Sequence, residues 1–435
     1  MAKQSIKLRE IKRLFDENGI TMIENIDTNS LCELKEVFEG LEDKRFQPYV
    51  EYYLSDIVVI CILAMLSNCN EWVEIADFAQ TKEVWLKSFL GLEKGVPSHD
   101  TIQRVMSMVD NHSLLKLTVQ FFIEKIDKLS KIRESINENE ETTRDIISID
   151  GKTSIGSKRN KTDKEAVKAM HTVSAFSHEY GMCVSQKTVL EKSNEIPAVQ
   201  DLIEITDIKD CIVTWDALNT QKETVKKVIE KKGDYIGALK ANHHSFYTDV
   251  KDYFEEDVLQ SMRNNKRCFF SITEKEHSAL ITREYYLSNE IEWLFNKSEW
   301  AGLKSIGCVV KTIEKLNGTK EVEKRYYISS ITEINYFEKG VRTHWNVENK
   351  LHWHLDFTFK EDKNTTMQKN GAKNLQILRK IVLSILNIVK PNYNKSLKRI
   401  RFALSLNFEK YIEDLFKLLN TDAIEEFLIK TGKIK

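Results

Sequence analysis

The chain has 435 residues, 65 of them basic against 66 acidic, with 30% charged and 9% aromatic residues and four prolines. So even a balance gives no global argument for a polyanionic partner, and any such partner must be argued from local clusters. The composition is that of a soluble, helix-rich globular protein with ample material for a core.

Taken in chain order, residues 1 to about 133 read as helical throughout. Apolar positions recur at helical spacing in Leu31, Leu34, Val37, Phe38 and Leu41, and in Trp72, Ile75 and Ala76. The apolar run 57–66 is too short to span a bilayer and reads as a buried helix. Ser98 is placed to cap the helix that follows it. The segment 134–145 is acidic, polar and nearly empty of large apolar residues, so it is the linker candidate. The opening sequence MAKQSIKLREIKRLF lacks the apolar core of a signal peptide. Seven cysteines without a CxxC pair read as thiols of a reducing compartment. Together these features predict a cytoplasmic protein with no membrane association.

After residue 145 the pattern changes to α/β. The β-branched run 146–149 is a strand, and 171–177 with 182–190 form a hairpin around Gly181. Residues 195–205 read as an amphipathic helix with its proline near the start. A buried strand follows at 211–215, a helix at 219–232 and a strand at 235–239. This order makes a mixed sheet with helices. From about 257 to 331 the chain is β-rich, with strands expected at 268–273, 280–287, 306–312 and 325–331, and Asn317-Gly318 marks a hairpin. A long helix is expected over 337–359, and the rest is helical with a break at Pro391 and Asn392.

The stretch IISIDGKT ends like a phosphate-binding P-loop. A P-loop needs a glycine five residues before the GK glycine, and Ile146 stands there, so no nucleotide cofactor is expected. What remains is Asp150 at the end of a strand. VTWDALNTQ repeats the device with Asp216. Two acids at the ends of neighbouring strands would converge and repel unless a cation lay between them, and all-oxygen ligands suit Mg²⁺ or Mn²⁺. Glu348 is the candidate third acid, on a helix stripe shared with Val341, His344 or Trp345, and His352. Asp356 lies two helical turns further on, roughly 12 Å along the axis, too far to share one metal pair. Histidines 344, 352 and 354 lack a completing cysteine and read as packed side chains rather than zinc ligands.

Residues 363–408 carry ten basic residues, including Lys369, Lys373, Arg379 and Lys380, and no acid. Residues 151–170, starting with Lys152, add six basic against two acidic ones. In a chain of balanced charge, both clusters suit a surface that tracks a phosphate backbone.

SIDGKTSIGS, VTWDALNTQ, GDYIGALKANH and RTHWNVENKLHWHLDFTFKED, in this order, resemble the DDE transposases of the H-repeat-associated (ISAs-type) insertion-sequence group. LKEVFEGLEDKRFQPYVEYYLSDIVVICILAML and PSHDTIQRV resemble the helical domain associated with that family, so the likeness spans roughly residues 30 to 390. The resemblance implies an RNase H-like core over 146–256, a β-rich insertion over 257–331, and a last helix with a basic helical region over 332–435. It implies Asp150, Asp216 and Glu348 as a metal-binding triad for two Mg²⁺ or Mn²⁺ ions. The implied partner is double-stranded DNA, as element terminal repeats and target, held by a dimer or larger assembly. The helical region up to 133, through 101–105, would bind element ends. The wider superfamily carries a Tyr-x2-Arg-x3-Glu-x6-Lys signature around its third acid; here Val341, His344 and Leu355 take those places. Arg342 stands one step from the expected arginine, and Arg342, His344 and Trp345 join the candidate DNA contacts. Trp215 is expected to reshape the pocket. Two alternatives stay open from sequence: a nuclease that cuts without strand transfer, and a catalytically inactive DNA-binding relic.

Overall fold

The computed structural model describes residues 29–136, 144–158, 168–189, 195–276, 279–366, 369–390, 393, 395–417 and 419–432. Most of the expected linker, residues 159–167 of the first basic cluster and the break at Pro391 and Asn392 lie outside the described residues.

Nine strands form one mixed sheet in the order β3-β2-β1-β4-β5-β9-β8-β7-β6. β1 (Ile146–Ser154), β2 (Met170–Ser177) and β3 (Met182–Val189) make an antiparallel meander. β4 (Ile212–Trp215) lies parallel to β1, and β5 (Asp234–Leu239) parallel to β4. β6 (Phe269–Glu276), β7 (Ala279–Ser288), β8 (Ser305–Lys315) and β9 (Lys320–Ser329) form an antiparallel ribbon, and β9 pairs with β5. The β-rich segment therefore extends the same sheet. In the turn between β8 and β9, Gly318 adopts φ +82, the left-handed conformation that glycine tolerates.

Period-two alternation divides the central strands between two cores. Ile147 and Ile149 of β1 join Val213 and Trp215 of β4 in one, covered by the helices Glu195–Ile205, Lys222–Glu230 and His244–Tyr253. Ile146, Ile212 and Ile236 face the other way, against Phe337 and Val341 of the helix Ile334–His344. Burial on both faces is why these strands read as unbroken apolar runs.

A third and larger core lies beside the meander. All thirteen residues of the helix Leu54–Leu66 are buried, which fits the expectation for the run 57–66. This core joins helices from before the sheet to helices after it: Leu31, Leu34 and Phe38 share it with Leu375, Leu378, Leu386 and Leu404. Phe176 and Met182 of the hairpin belong to it, as do Leu351, Leu355 and Phe359. Ser98 caps the helix His99–Met106 by accepting from the Thr101 backbone N–H at 3.4 Å. All seven cysteines are free thiols. Among the described residues no helix is long and apolar enough to cross a membrane.

Three elements differ from expectation. β1 does not stop before Asp150 but runs on to Ser154 along β2. The helix expected from 219 starts only at Lys222, after a short turn at Ala217–Asn219. The long helix expected to 359 is regular only to His344. It then widens into two π-helical turns, Glu348–His352 and His354–Thr358, in which Trp353 N–H donates to Glu348 O and Phe359 N–H to His354 O. Five-residue steps of this kind shift side chains off the 3.6-residue face that sequence periodicity assumes.

Candidate active site

The ladder between β1 and β4 ends at Ser148↔Thr214, while β1 stays paired with β2 to Ser154↔Met170. Asp150 and Asp216 each lie two residues beyond that last pair. They therefore share the face of Ser148 and Thr214 and stand side by side where the two strands part. The reason Asp150 sits at an opening is thus the end of one ladder, not the end of its strand. Trp215, one residue from Asp216, points the opposite way. It is 1% exposed, its Nε1 donates to Thr220 Oγ1 at 3.1 Å, and it stacks on Tyr235. The expectation that it reshapes the pocket is corrected by this alternation.

The helix bearing the third acid is tied to the same two strands. His344 Nδ1 lies 3.1 Å from Thr214 Oγ1, Thr214 Oγ1 lies 2.9 Å from Ser148 Oγ, and Ser148 Oγ lies 2.9 Å from His178 Nε2. Burial pushes the His344 pKa down to about 4 and that of His178 well below its ordinary value, so both imidazoles act as neutral links. One turn beyond His344, Glu348 opens the first π-helical turn with its side chain exposed.

Neighbouring carboxylates act on one another at this opening. The Asp150 carboxyl is pushed up to about 7, first by burial and then by the charges of Asp216, Glu195 and Glu348, against a 2.8 Å hydrogen bond from the Gly151 N–H. Asp216 is also raised, by burial and by Glu195, although the hydrogen bonds from Asn219 and the charge of Lys240 pull the other way. His352 Nδ1 lies 3.6 Å from Asp150 Oδ2, but burial pushes its pKa down to about 3, so it supplies no counter-charge at neutral pH.

Glu195 escaped the sequence reading. It looked like the polar first residue of an amphipathic helix, yet it is buried, with Oε2 3.1 Å from His171 Nε2 and Oε1 accepting from Asn219 Nδ2 at 2.8 Å. Its one local signal was the dense polar run KSNE before an apolar helix.

Carboxylates crowded in a partly desolvated opening fit a hard cation held by oxygen, and Asp150, Asp216 and Glu348 are the residues that would hold it. Among the described residues no group of three or more His, Cys, Asp or Glu is arranged so that it could hold a metal ion. The three histidines considered for zinc have separate partners: Thr214 for His344, Asp150 for His352, and Thr358 Oγ1 at 3.0 Å for His354.

The candidate DNA contacts separate into two groups. Arg379 and Lys380 are 3% and 2% exposed, so the expectation of a surface role is corrected. Arg379 Nη2 donates to Asn70 O, and Lys380 Nζ donates to Ser174 Oγ at 2.7 Å. Both face inward because the helix Lys369–Val389 is packed on several sides. Lys152 is likewise buried, 2.7 Å from Asp356 and 3.5 Å from Asp362, with Glu361 at 3.9 Å. Asp356 thus serves this internal cluster. His344 is spent on Thr214. Arg342 pairs with Glu274 of β6 and lies 3.6 Å from Glu338. Trp345 is 45% exposed under the guanidinium of Arg325, 4.2 Å from the ring centre. Lys373 is partly exposed, and the Lys369 side chain lies outside the described residues.

The structure thus sets Asp150 and Asp216 on one face where two parallel strands part, and puts Glu348 one turn past the helix end tied to Thr214. The chain belongs to the DDE transposase family: residues 141–385 match the Transposase DDE domain, and residues 35–122 match the domain described as DDE_Tnp_1-associated. It is 32% identical over 411 residues to the putative transposase YncI of Escherichia coli O157:H7, covering 93% of this chain and 98% of that one. It is also 32% identical over 364 residues to the H repeat-associated putative transposase YhhI of Escherichia coli strain K12, covering 81% and 91%. A solved piggyBac transposase synaptic complex with hairpin DNA aligns over 98% of this chain and 84% of its own, at 12% identity and a TM-score of 0.36, a likeness too slight to carry an argument.

Proposed function

We propose that this chain is an insertion-sequence transposase that cuts double-stranded DNA at element ends and joins them to a target, using Asp150, Asp216 and Glu348 on an RNase H-like core. The observation that carries this reading is the parting of β1 and β4 just before Asp150 and Asp216; after burial, the charges of Asp216, Glu195 and Glu348 each help raise the Asp150 carboxyl, which supports it. The strand order 3-2-1-4-5 of the first five strands supports the core assignment, and family membership supports the reaction class.

Two divalent ions, Mg²⁺ or Mn²⁺, would supply charge neutralisation at the scissile phosphate and a more acidic water. The chain's own contribution is placement. β1 and β4 fix two carboxylates in register. The hydrogen-bonded line from His178 to His344 ties the helix preceding Glu348 to the same two strands, which supports a role for Glu348 beside them. The helices before 133, where Arg104 is exposed between the buried Ile102 and Val105, are proposed to contact element ends.

The test is a cleavage and joining assay on the DNA flanking the gene, with wild type and Asp150→Asn. The reading expects Mg²⁺-dependent nicks and joined products from wild type, and DNA binding without either from the variant. Nicks without joined products would make it a nuclease, and equal background activity in both proteins would make it a relic.

A further inference from the structure

A helix cap at Asp216 needs only a backbone donor, and the Asn219 N–H already supplies one at 3.3 Å to Asp216 Oδ1. The structure adds more. Asn219 Nδ2 donates at 2.8 Å to that same Oδ1 and at 2.8 Å to Glu195 Oε1. Carboxylates only accept, so the amide nitrogen faces both and its orientation is settled by chemistry. The amide carbonyl Oδ1 is buried without a hydrogen-bond partner. The two donated bonds therefore hold the side chain despite an unsatisfied acceptor. All the donors meet Asp216 at one oxygen, so Oδ2 stands outside the clamp.

Glu195 is itself braced. Its Oε2 lies 3.1 Å from His171 Nε2, and His171 Nδ1 lies 2.8 Å from Thr153 Oγ1 on β1. Gly151 gives the clearance: a Cβ there would come within 2.6 Å of His171 Nε2 and 3.0 Å of Glu195 Oε2. The residue after Asp150 is thus a glycine because this brace passes beneath it. Both Asn219 and Glu195 are more than nine-tenths buried. Placing a buried acid beside two others is unfavourable unless its position is used.

We propose that Asn219, clamped by Glu195, is a positioning residue that fixes the Asp216 carboxylate with Oδ2 presented to a divalent ion. The inference rests on the triad reading above. Partners that orient a ligating carboxylate contribute about 10- to 100-fold to metal affinity.

The experiment titrates Mn²⁺ into the full-length chain by calorimetry. It compares wild type, Asp216→Asn, Asn219→Ala, Glu195→Ala and Glu195→Gln, with metal-free melting curves as a control of folding. Asn219→Ala and Glu195→Ala should each bind Mn²⁺ about 10- to 100-fold more weakly. Glu195→Gln keeps an acceptor oxygen for Asn219 and should recover affinity to within about threefold of wild type. If Asn219→Ala is unfolded, Asn219→Ser, which cannot reach both carboxylates, carries the same expectation. Wild-type Mn²⁺ affinity in the folded Asn219 variant, together with a loss in Asp216→Asn, overturns this inference alone. Unchanged affinity in Asp216→Asn overturns the triad reading itself.

Discussion

Replacing Asp150 by asparagine should make the metal-free protein more stable at alkaline pH. The Asp150 carboxyl is raised from an ordinary 3.8 to about 7. A carboxyl with a raised folded pKa holds its proton more tightly in the fold than in the unfolded chain. Below about pH 4 both states are protonated and the group costs nothing. Between about 4 and 7 the unfolded chain releases the proton first, so stability falls as pH rises, and above about 7 the cost is constant. At about 1.36 kcal/mol per pH step the plateau is roughly 4 kcal/mol. The side chain is 26% exposed, so screening brings the expected effect to about 2 kcal/mol. The amide of the Asp150→Asn variant would keep an acceptor for the Gly151 N–H and remove only the charge. The assay is urea unfolding of both proteins in EDTA, from about pH 3.5 to about pH 8.5 so as to bracket that window, followed by tryptophan fluorescence. The variant should gain about 2 kcal/mol over wild type near pH 8, and the gain should vanish towards about pH 4. Saturating Mn²⁺ should stabilise wild type and not the variant. A variant no more stable than wild type at the alkaline end without metal would refute the crowding of charge at this opening.

Lys152→Ala should lower stability by about 3–5 kcal/mol, because it leaves Asp356, Glu361 and Asp362 without the buried cation that joins them. A thermal melt decides this: an unchanged midpoint, with weaker and less salt-sensitive DNA binding, would instead restore Lys152 as a phosphate contact. Gly156→Ala should cost about 1–3 kcal/mol, since its Cβ would fall 2.4 Å from Asp362 O and 2.6 Å from Asn364 O, both backbone atoms. Chemical denaturation measures it, and a neutral result would mean that segment 361–364 moves aside without cost.

What the sequence made legible was local. The apolar run 57–66, the cap at Ser98 and the turn at Asn317-Gly318 each follow from a few adjacent residues, and each stands where expected. Asp150 and Asp216 could be singled out because each directly follows an apolar run. Glu195 could not, because its importance depends on Asn219 and His171, which lie 24 residues away on either side and meet it only in the fold. The basic segment misled for a related reason. Charge counts carry no direction, and Arg379, Lys380 and Arg401 turn into the protein, where Arg401 satisfies Met65 O and Asn70 Oδ1. The π-helical turns were invisible because periodicity assumes a constant step, and the widening after His344 breaks it.

The core shared by the first and last helices bears on how a gene of this kind decays. A nonsense mutation after the sheet would remove Leu375, Leu378, Ile381 and Leu404 from the core they share with Leu54–Leu66 and uncover the side of that wholly buried helix which the last helices now shield. Such a fragment aggregates or is degraded.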